Sequence, residues 1–95
     1  MKPTWDDASI AAALARLDGW AREGEAVAKT FRFEDYDAVI AFVNAVASIA
    51  RRQDHHPELI VGYNTCRVRY TTHAAGGLTR RDFDAAAAVN DLLAP

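Results

Sequence analysis

The sequence has 95 residues, of which 51% are hydrophobic and 25% charged, and its formal net charge is −2 at pH 7. This length fits one compact domain over residues 1–95, too small to enclose a deep cavity, and the composition excludes a largely disordered chain. The charge gives no general reason to expect nucleic-acid binding, no stretch reaches the roughly 20 apolar residues that span a bilayer, and the N-terminus lacks an apolar signal core.

The single cysteine, Cys66, excludes an intramolecular disulfide and a multi-cysteine zinc site. One thiol fits a reducing compartment, so we expect a cytoplasmic protein. Cys66 falls on the apolar side of a predicted strand, where it should be buried and inert.

The first third of the chain predicts a helix followed by a β-hairpin. Short polar side chains supply candidate N-caps for the helix, namely Asp6, Asp7 and Ser9. The helix should end near Gly19, and residues 20–33 then predict two strands around a turn at residues 23–25. The second strand alternates so that four side chains share a face: Val27, Lys29, Phe31 and Phe33.

A long helix is predicted over residues 35–53, which carry the clearest periodic pattern of the sequence. Apolar side chains recur there at three- and four-residue spacing: Tyr36, Val39, Ile40, Val43, Val46, Ala47 and Ala50. We expect this stripe to pack against the sheet.

A second hairpin follows, with strands at residues 59–63 and 66–72 joined at Asn64-Thr65. Alternation divides the fourth strand into two faces. One face holds Cys66, Val68, Tyr70 and Thr72, and the other holds Arg67, Arg69, Thr71 and His73.

The last element is a helix with Thr79 as N-cap and Asp82 three residues later, where a capping partner would lie. The element order is therefore α-β-β-α-β-β-α. This order predicts an α+β fold, a four-stranded antiparallel sheet with three helices packed on one face. Because such a sheet keeps an uncovered face and open edges, we expect a homo-oligomer, either a dimer or a tetramer.

Two histidines stand side by side between the long helix and the third strand. Adjacent side chains point apart on a strand and lie about 100° apart on a helix, so one element would not bury both alike. Pro57 disfavours helical geometry at His56, which places His55 and His56 at a junction. His73 ends the fourth strand, and hairpin pairing would bring it to the same end of the sheet.

Three histidines at one end of a sheet suggest proton transfer, because the imidazole pKa lies near neutral pH. Structural histidines are the alternative. Metal binding is less well supported, because adjacent histidines lack the i,i+4 spacing of zinc helices and no cysteine lies nearby. Asp82 is either a helix cap or a site carboxylate, and Trp20 is a core or interface residue or else a wall for a flat ligand.

Other chemistries find little support. Ser9 and Ser48 lie on predicted helices without a G-x-S-x-G turn, and Gly76-Gly77 matches no phosphate-loop spacing. Residues 51–81 carry a local charge of +4 from six arginines and two acidic residues. We interpret these residues as solvated arginines on the sheet and at helix ends, in preference to a dedicated anion-binding patch.

A family resemblance rests on five stretches in chain order: Asp54-His55-His56-Pro57-Glu58, Tyr63-Asn64, Thr72-His73, Gly76-Gly77-Leu78-Thr79 and Asp82. The pattern resembles the pterin-4a-carbinolamine dehydratases, and the likeness covers nearly the whole chain, including Gly19-Trp20. It implies an α+β enzyme, usually a tetramer, that converts 4a-hydroxytetrahydropterin to quinonoid dihydropterin and water. This reaction recycles the tetrahydrobiopterin cofactor of aromatic amino-acid hydroxylases, and the family implies no metal and no bound cofactor.

The resemblance places the site on the three histidines. The candidate site residues are His55, His56 and His73, with Asp82, Pro57 and Trp20 as substrate-binding or orienting residues. Loss of the 4a-hydroxyl needs a proton donor and loss of the N5 hydrogen needs a base, and imidazoles serve both needs. We expect His55 and His73 to be the acid/base pair, His56 to position the substrate, and Asp82 to orient an imidazole.

One position departs from the family pattern, and two other functions stay open. Family members often have an acidic residue four positions before the first motif histidine, where this chain has Arg51, whose charge would lower the pKa of a nearby histidine. The resemblance includes mammalian members that stabilise homeodomain transcription-factor dimers, and proteins with eroded motifs linked to carboxylase assembly. A non-catalytic oligomerising partner is therefore the alternative, and nucleic-acid binding through the arginine-rich segment is the third hypothesis.

Overall fold

The structure is a computed structural model that describes residues 4–94. The helices are α1 (Asp7–Leu14), α2 (Tyr36–Gln53) and α3 (Arg80–Asp91), and the strands are β1 (Ala21–Glu23), β2 (Ala26–Arg32), β3 (Glu58–Val61) and β4 (Thr65–Tyr70). A short 3-10 turn, His73–Ala75, lies between β4 and α3. Within residues 4–94, no helix is long and apolar enough to cross a membrane.

The four strands form one antiparallel sheet in the order β1-β2-β4-β3. The central ladder pairs Val27 with Tyr70 and Phe31 with Cys66, so the two core-facing rows oppose each other. In the second hairpin, Glu58 pairs with Arg69 and Val61 with Cys66. The element order and the α+β architecture agree with the sequence prediction.

The hydrophobic core lies between the helices and one face of the sheet. The sheet contributes Val27, Phe31, Cys66, Val68 and Tyr70, all buried, and the helices contribute Ile10, Val39, Phe42, Val46, Ile49, Phe83 and Val89. The predicted division of β4 is confirmed, because Cys66, Val68, Tyr70 and Thr72 are all buried. Burial raises the pKa of the Cys66 thiol, which fits the predicted inert role.

The buried face of α2 differs from the predicted stripe. Phe42 and Ile49, absent from the prediction, are buried, whereas Tyr36 and Ala47 are exposed. The ring centroids of Phe42 and Phe31 are 4.8 Å apart, so the side of the helix that carries Phe42 faces the sheet. Burying the large ring of Phe42 stabilises the fold more than burying Ala47 would, because apolar burial is worth about 25 cal/mol per Å². Tyr36 is the first residue of α2 and stays exposed.

Three element ends also differ from the predictions. The first helix ends at Leu14 and residues 15–19 form turns, β3 ends at Val61, and β4 ends at Tyr70. Beyond Tyr70 the chain leaves the ladder, and Thr72 makes an isolated bridge with Gly77. This departure carries the Thr72 side chain toward the start of α3.

The start of α3 has the predicted capping box. The Thr79 hydroxyl accepts a hydrogen bond from a first-turn amide while the Asp82 carboxylate accepts one from the Thr79 amide. A capping box satisfies amides that have no partner within the helix. Asp82 is therefore fixed at one position, with no exposed surface.

Candidate active site

The candidate site begins where α2 ends. Asp54 adopts a left-handed conformation with φ 51°, and the His55 amide donates to the carbonyl of Ala50 at 3.1 Å. A residue in the αL conformation commonly terminates a helix, and here it ends α2. The chain then turns back toward the core. His55 is consequently buried, with 7% of its surface exposed, and Pro57 follows it half-buried at the entrance to β3.

His55 is joined to Asp82 by a buried hydrogen bond. Nε2 of His55 lies 2.6 Å from Oδ1 of Asp82. The other carboxylate oxygen, Oδ2, accepts from the Thr72 hydroxyl at 2.8 Å and from the Thr79 amide at 3.0 Å. Three donors therefore converge on one enclosed carboxylate, which compensates its loss of contact with water.

This arrangement fixes the tautomer of His55. A carboxylate only accepts hydrogen bonds, so the hydrogen shared with Asp82 belongs to Nε2 of the imidazole. In the neutral ring Nδ1 then carries the lone pair, since the hydrogen bond to Asp82 is made through Nε2. His55 can thus accept a proton at Nδ1 and, once protonated, donate it.

A tyrosine ring covers His55 on the core side. The centroids of His55 and Tyr70 are 5.6 Å apart with planes inclined by 14°. The Tyr70 hydroxyl is enclosed and has no partner within the described part of the chain. Burial and, to a lesser extent, the nearby charge of Asp82 raise the pKa of Tyr70 to about 12.

A cavity of about 210 Å³ opens beside His55, and it is lined by Gln53, His55, Arg81 and Asp84. A larger hollow, of about 550 Å³, lies between α1 and α3 and is lined mainly by apolar side chains, with no histidine among them. Because the smaller cavity reaches an acid/base group, it is the better candidate for chemistry.

The other candidate residues have different surroundings. His56 is exposed beside His55, and His73 is exposed at the first residue of the 3-10 turn. Both lie near the end of the sheet at which β3 starts and β4 finishes. Trp20 lies in the core with its Nε1 donating to Asn90 at 3.0 Å, and only 6% of it is exposed. Trp20 therefore has the surroundings of a core residue.

The arginine-rich segment is largely used in contacts within the chain. Glu23 accepts a hydrogen bond from Arg67 on the helix-free face, and Arg69 lies 4.0 Å from the same carboxylate. Arg67 is the first cause of the lowered pKa of Glu23. Arg80 pairs with Asp84 at 3.4 Å, and Arg51 is exposed on the last turn of α2.

Sequence reasoning missed Thr72, Tyr70 and Arg81 as neighbours of the candidate site. Alternation correctly placed Tyr70 and Thr72 on the core face, but it did not indicate which polar groups they would contact. Arg81 donates to the carbonyl of Asp54, a contact that depends on the packing of α2 against α3. Within residues 4–94, no group of three or more histidine, cysteine or acidic side chains is placed to hold a metal ion.

Comparison with known proteins identifies the family. The family model described as pterin 4 alpha carbinolamine dehydratase matches residues 3–92. The chain belongs to this family. Over 90 residues, covering 95% of this chain and 80% of the relative, it is 48% identical to a Nitrosospira multiformis protein named "Putative pterin-4-alpha-carbinolamine dehydratase".

Solved structures agree with this family fold. A Brucella melitensis protein described as a transcriptional coactivator/pterin dehydratase superposes with a TM-score of 0.92 at 31% identity, covering 97% of this chain and all of that one. A pterin dehydratase-like protein described as a RuBisCO assembly factor of the alpha-carboxysome gives a TM-score of 0.67 at 23% identity, with 78% and 88% covered. The second similarity concerns the fold alone.

Proposed function

We propose that this family member is a hydro-lyase that converts 4a-hydroxytetrahydropterin to quinonoid dihydropterin and water. The proposal is supported by the family match over residues 3–92 and by relatives of nearly 50% identity. The observation that carries it is the buried bond between His55 and Asp82, which leaves Nδ1 of an oriented imidazole for chemistry. An imidazole held by a carboxylate is a common arrangement for moving protons.

The proposed reaction balances with two proton transfers. The C4a–O bond breaks as the leaving oxygen takes a proton, and the product is water. The N5–H bond breaks as a base takes that proton, and its electron pair forms the C4a=N5 double bond. The elimination is redox-neutral and needs no external oxidant or reductant, and the two proton transfers balance it. Each assisted proton transfer is worth on the order of 10²–10⁴ in rate.

We assign the roles by surroundings. His55, oriented by Asp82, and His73 form the proposed acid/base pair, and His56 positions the pterin from its exposed place beside His55. Pro57 fixes the chain between the two neighbouring histidines and β3. Trp20 supports the site indirectly, because its ring lies 6.1 Å from Tyr70, which in turn stacks on His55.

The proposed physiological role is tetrahydrobiopterin recycling in the cytoplasm, after an aromatic amino-acid hydroxylase has released the 4a-hydroxypterin. The single buried thiol, Cys66, supports a reducing compartment. We further propose that the protein is a homo-oligomer, a dimer or tetramer. This part is supported by the two edge strands and by exposed apolar side chains at Ile60, Val61 and Tyr63.

The decisive experiment is a dehydratase assay that follows loss of the 4a-hydroxypterin absorbance. Wild-type protein should accelerate this loss, and His55→Ala or His73→Ala should each lower kcat/KM by about 10²–10⁴. Glu34→Ala, at an exposed loop position, is the matched control and should retain the wild-type rate. A wild-type rate equal to the uncatalysed one would rule out the proposed activity.

A non-catalytic partner on the same fold is the second candidate, and the observation that favours it is the similarity to the Brucella melitensis protein described as a coactivator. This function predicts a stoichiometric protein complex that His55→Ala leaves intact. A catalytically silent wild-type protein with such a complex would favour the partner function. Direct nucleic-acid binding would instead weaken steeply with salt and survive histidine substitution.

A further inference from the structure

The residue before His55 has an unusual backbone conformation. Asp54, with φ 51°, is the one non-glycine residue with positive φ among residues 4–94. L-residues other than glycine adopt this region at an energetic cost, which asparagine and aspartate tolerate best. The direction in which the chain delivers His55 therefore depends on keeping Asp54 left-handed.

Arg81 contacts the backbone at this turn. Its Nη2 donates to the Asp54 carbonyl and lies 3.5 Å from the Gln53 carbonyl as a second acceptor. These carbonyls belong to the last turn of α2, where carbonyl groups have no partner within the helix. A guanidinium at a helix C-terminus is also favoured by the helix dipole. Arg81 thus ties the start of α3 to the end of α2.

Asp82, the residue after Arg81, contacts the same turn through its side chain. Asp82 holds Nε2 of His55, while Arg81 holds the carbonyl of the residue before it. We propose that Arg81 is a positioning residue for His55, which keeps the left-handed turn in place so that the imidazole lines the cavity. This inference rests on the proposed function for its kinetic consequence.

The arrangement predicts a particular kinetic effect. Arg81, which lines the cavity with His55, is half-buried and acts on the turn through backbone carbonyls. Losing these bonds frees the Asp54 carbonyl and lets the imidazole sample other directions. Misplacement of a reacting group by about 1 Å can cost about 10²-fold in rate. The loss should appear mainly in kcat, because the substrate contact assigned to His56 remains.

The experiment compares four variants. Arg81→Ala should lower kcat by about 10- to 100-fold with KM changed by less than about 3-fold. Arg81→Lys keeps one cation near the carbonyls and should fall between Arg81→Ala and wild type. Arg80→Ala removes the adjacent, mostly exposed arginine and should leave kcat unchanged. Asp54→Gly combined with Arg81→Ala should recover part of kcat, because glycine adopts positive φ without strain.

A second readout does not need activity. The ¹⁵N chemical shifts of His55 should indicate one ordered Nε2–H tautomer in wild type and in Arg80→Ala, and exchange-broadened averaging in Arg81→Ala. If wild type lacks dehydratase activity, the proposed function fails while this readout still tests the positioning role. The positioning role is overturned if Arg81→Ala retains both kcat and the ordered His55 signals. It is equally overturned if the combined variant recovers nothing over Arg81→Ala.

Discussion

Asp82 serves the fold and the candidate site with the same two oxygens. Oδ2 accepts the Thr79 amide that closes the capping box and also the Thr72 hydroxyl, while Oδ1 accepts Nε2 of His55. Thr72 uses its one hydroxyl hydrogen on Asp82, so in its 2.9 Å contact with Thr79 the hydroxyl of Thr79 is the donor. The hydrogen positions around Asp82 are therefore determined by its partners.

Replacing Asp82 by asparagine should reverse the tautomer of His55. The backbone amide of Thr79 can only donate a hydrogen bond, so the asparagine oxygen must face it. The NH₂ group of the asparagine must then face Nε2 of His55. His55 then has to carry its hydrogen on Nδ1, which loses the lone pair that the proposed mechanism uses. Asp82→Asn should lower kcat/KM by about 10²-fold or more, with the reversal visible in ¹⁵N shifts of His55.

The control is Asp91→Asn, at an exposed position near the end of α3, which should change neither quantity. An Asp82→Asn protein that folds, retains Nε2–H on His55 and turns over normally would contradict the orienting role of Asp82.

Tyr70 carries a buried hydroxyl that the fold leaves without a partner. Tyr70→Phe should therefore raise the free energy of unfolding at pH 7 by roughly 1 kcal/mol or more. In wild type, the unfolded chain releases the tyrosine proton near pH 10 while the folded protein holds it to about 12, so stability should fall as pH rises between these values. Urea unfolding across this range should show a smaller fall for Tyr70→Phe, and a variant less stable than wild type at pH 7 would contradict the prediction.

At the scale of single elements, the strands were easier to predict than α2. A strand has a period of two, so the alternation in β4 identified its core face correctly. The apolar side chains of α2 extend around more than one face, and periodicity alone could not decide between Ala47 and Ile49. The decision comes from Phe31 of β2, which packs on Phe42 and is distant in sequence.

The candidate site, too, could be predicted only where the sequence signal is local. The capping box predicted where Asp82 lies on α3, because its spacing from Thr79 is local. The contact between Asp82 and His55 joins residues 27 positions apart and depends on how α2 and α3 pack. The left-handed turn at Asp54 has only an indirect sequence signal, since Pro57 requires the helix to have ended before it.

At the scale of the whole molecule, the sheet leaves one face without helices. Ion pairs cover part of this face, where Glu23 contacts Arg67 and Arg69, so the cluster of positive charge in the sequence is partly neutralised in space. Exposed pairs of this kind contribute little to stability. The apolar part of the face lies at the edge strand β3, where Ile60 is 54% exposed.

A charge at this edge should weaken self-association. Ile60→Lys places an ammonium group beside an open strand, and natural edge strands avoid pairing by this means. The variant should sediment as smaller species than wild type at the same micromolar concentration. Leu93→Lys, which also replaces an exposed apolar side chain but lies beyond α3, is the matched control. A wild-type protein that is monomeric under these conditions would contradict the proposed oligomer.

The capping box at Thr79 and Asp82 also links the geometry of the candidate site to local unfolding. Helix ends fray more readily than helix centres, and such openings occur without global unfolding. When the first turn of α3 opens, Asp82 releases His55 at the same moment, so each opening interrupts the oriented imidazole. Warming would therefore reduce the fraction of competent molecules before the core melts, and the lifetime of one helical turn sets how long the site stays assembled.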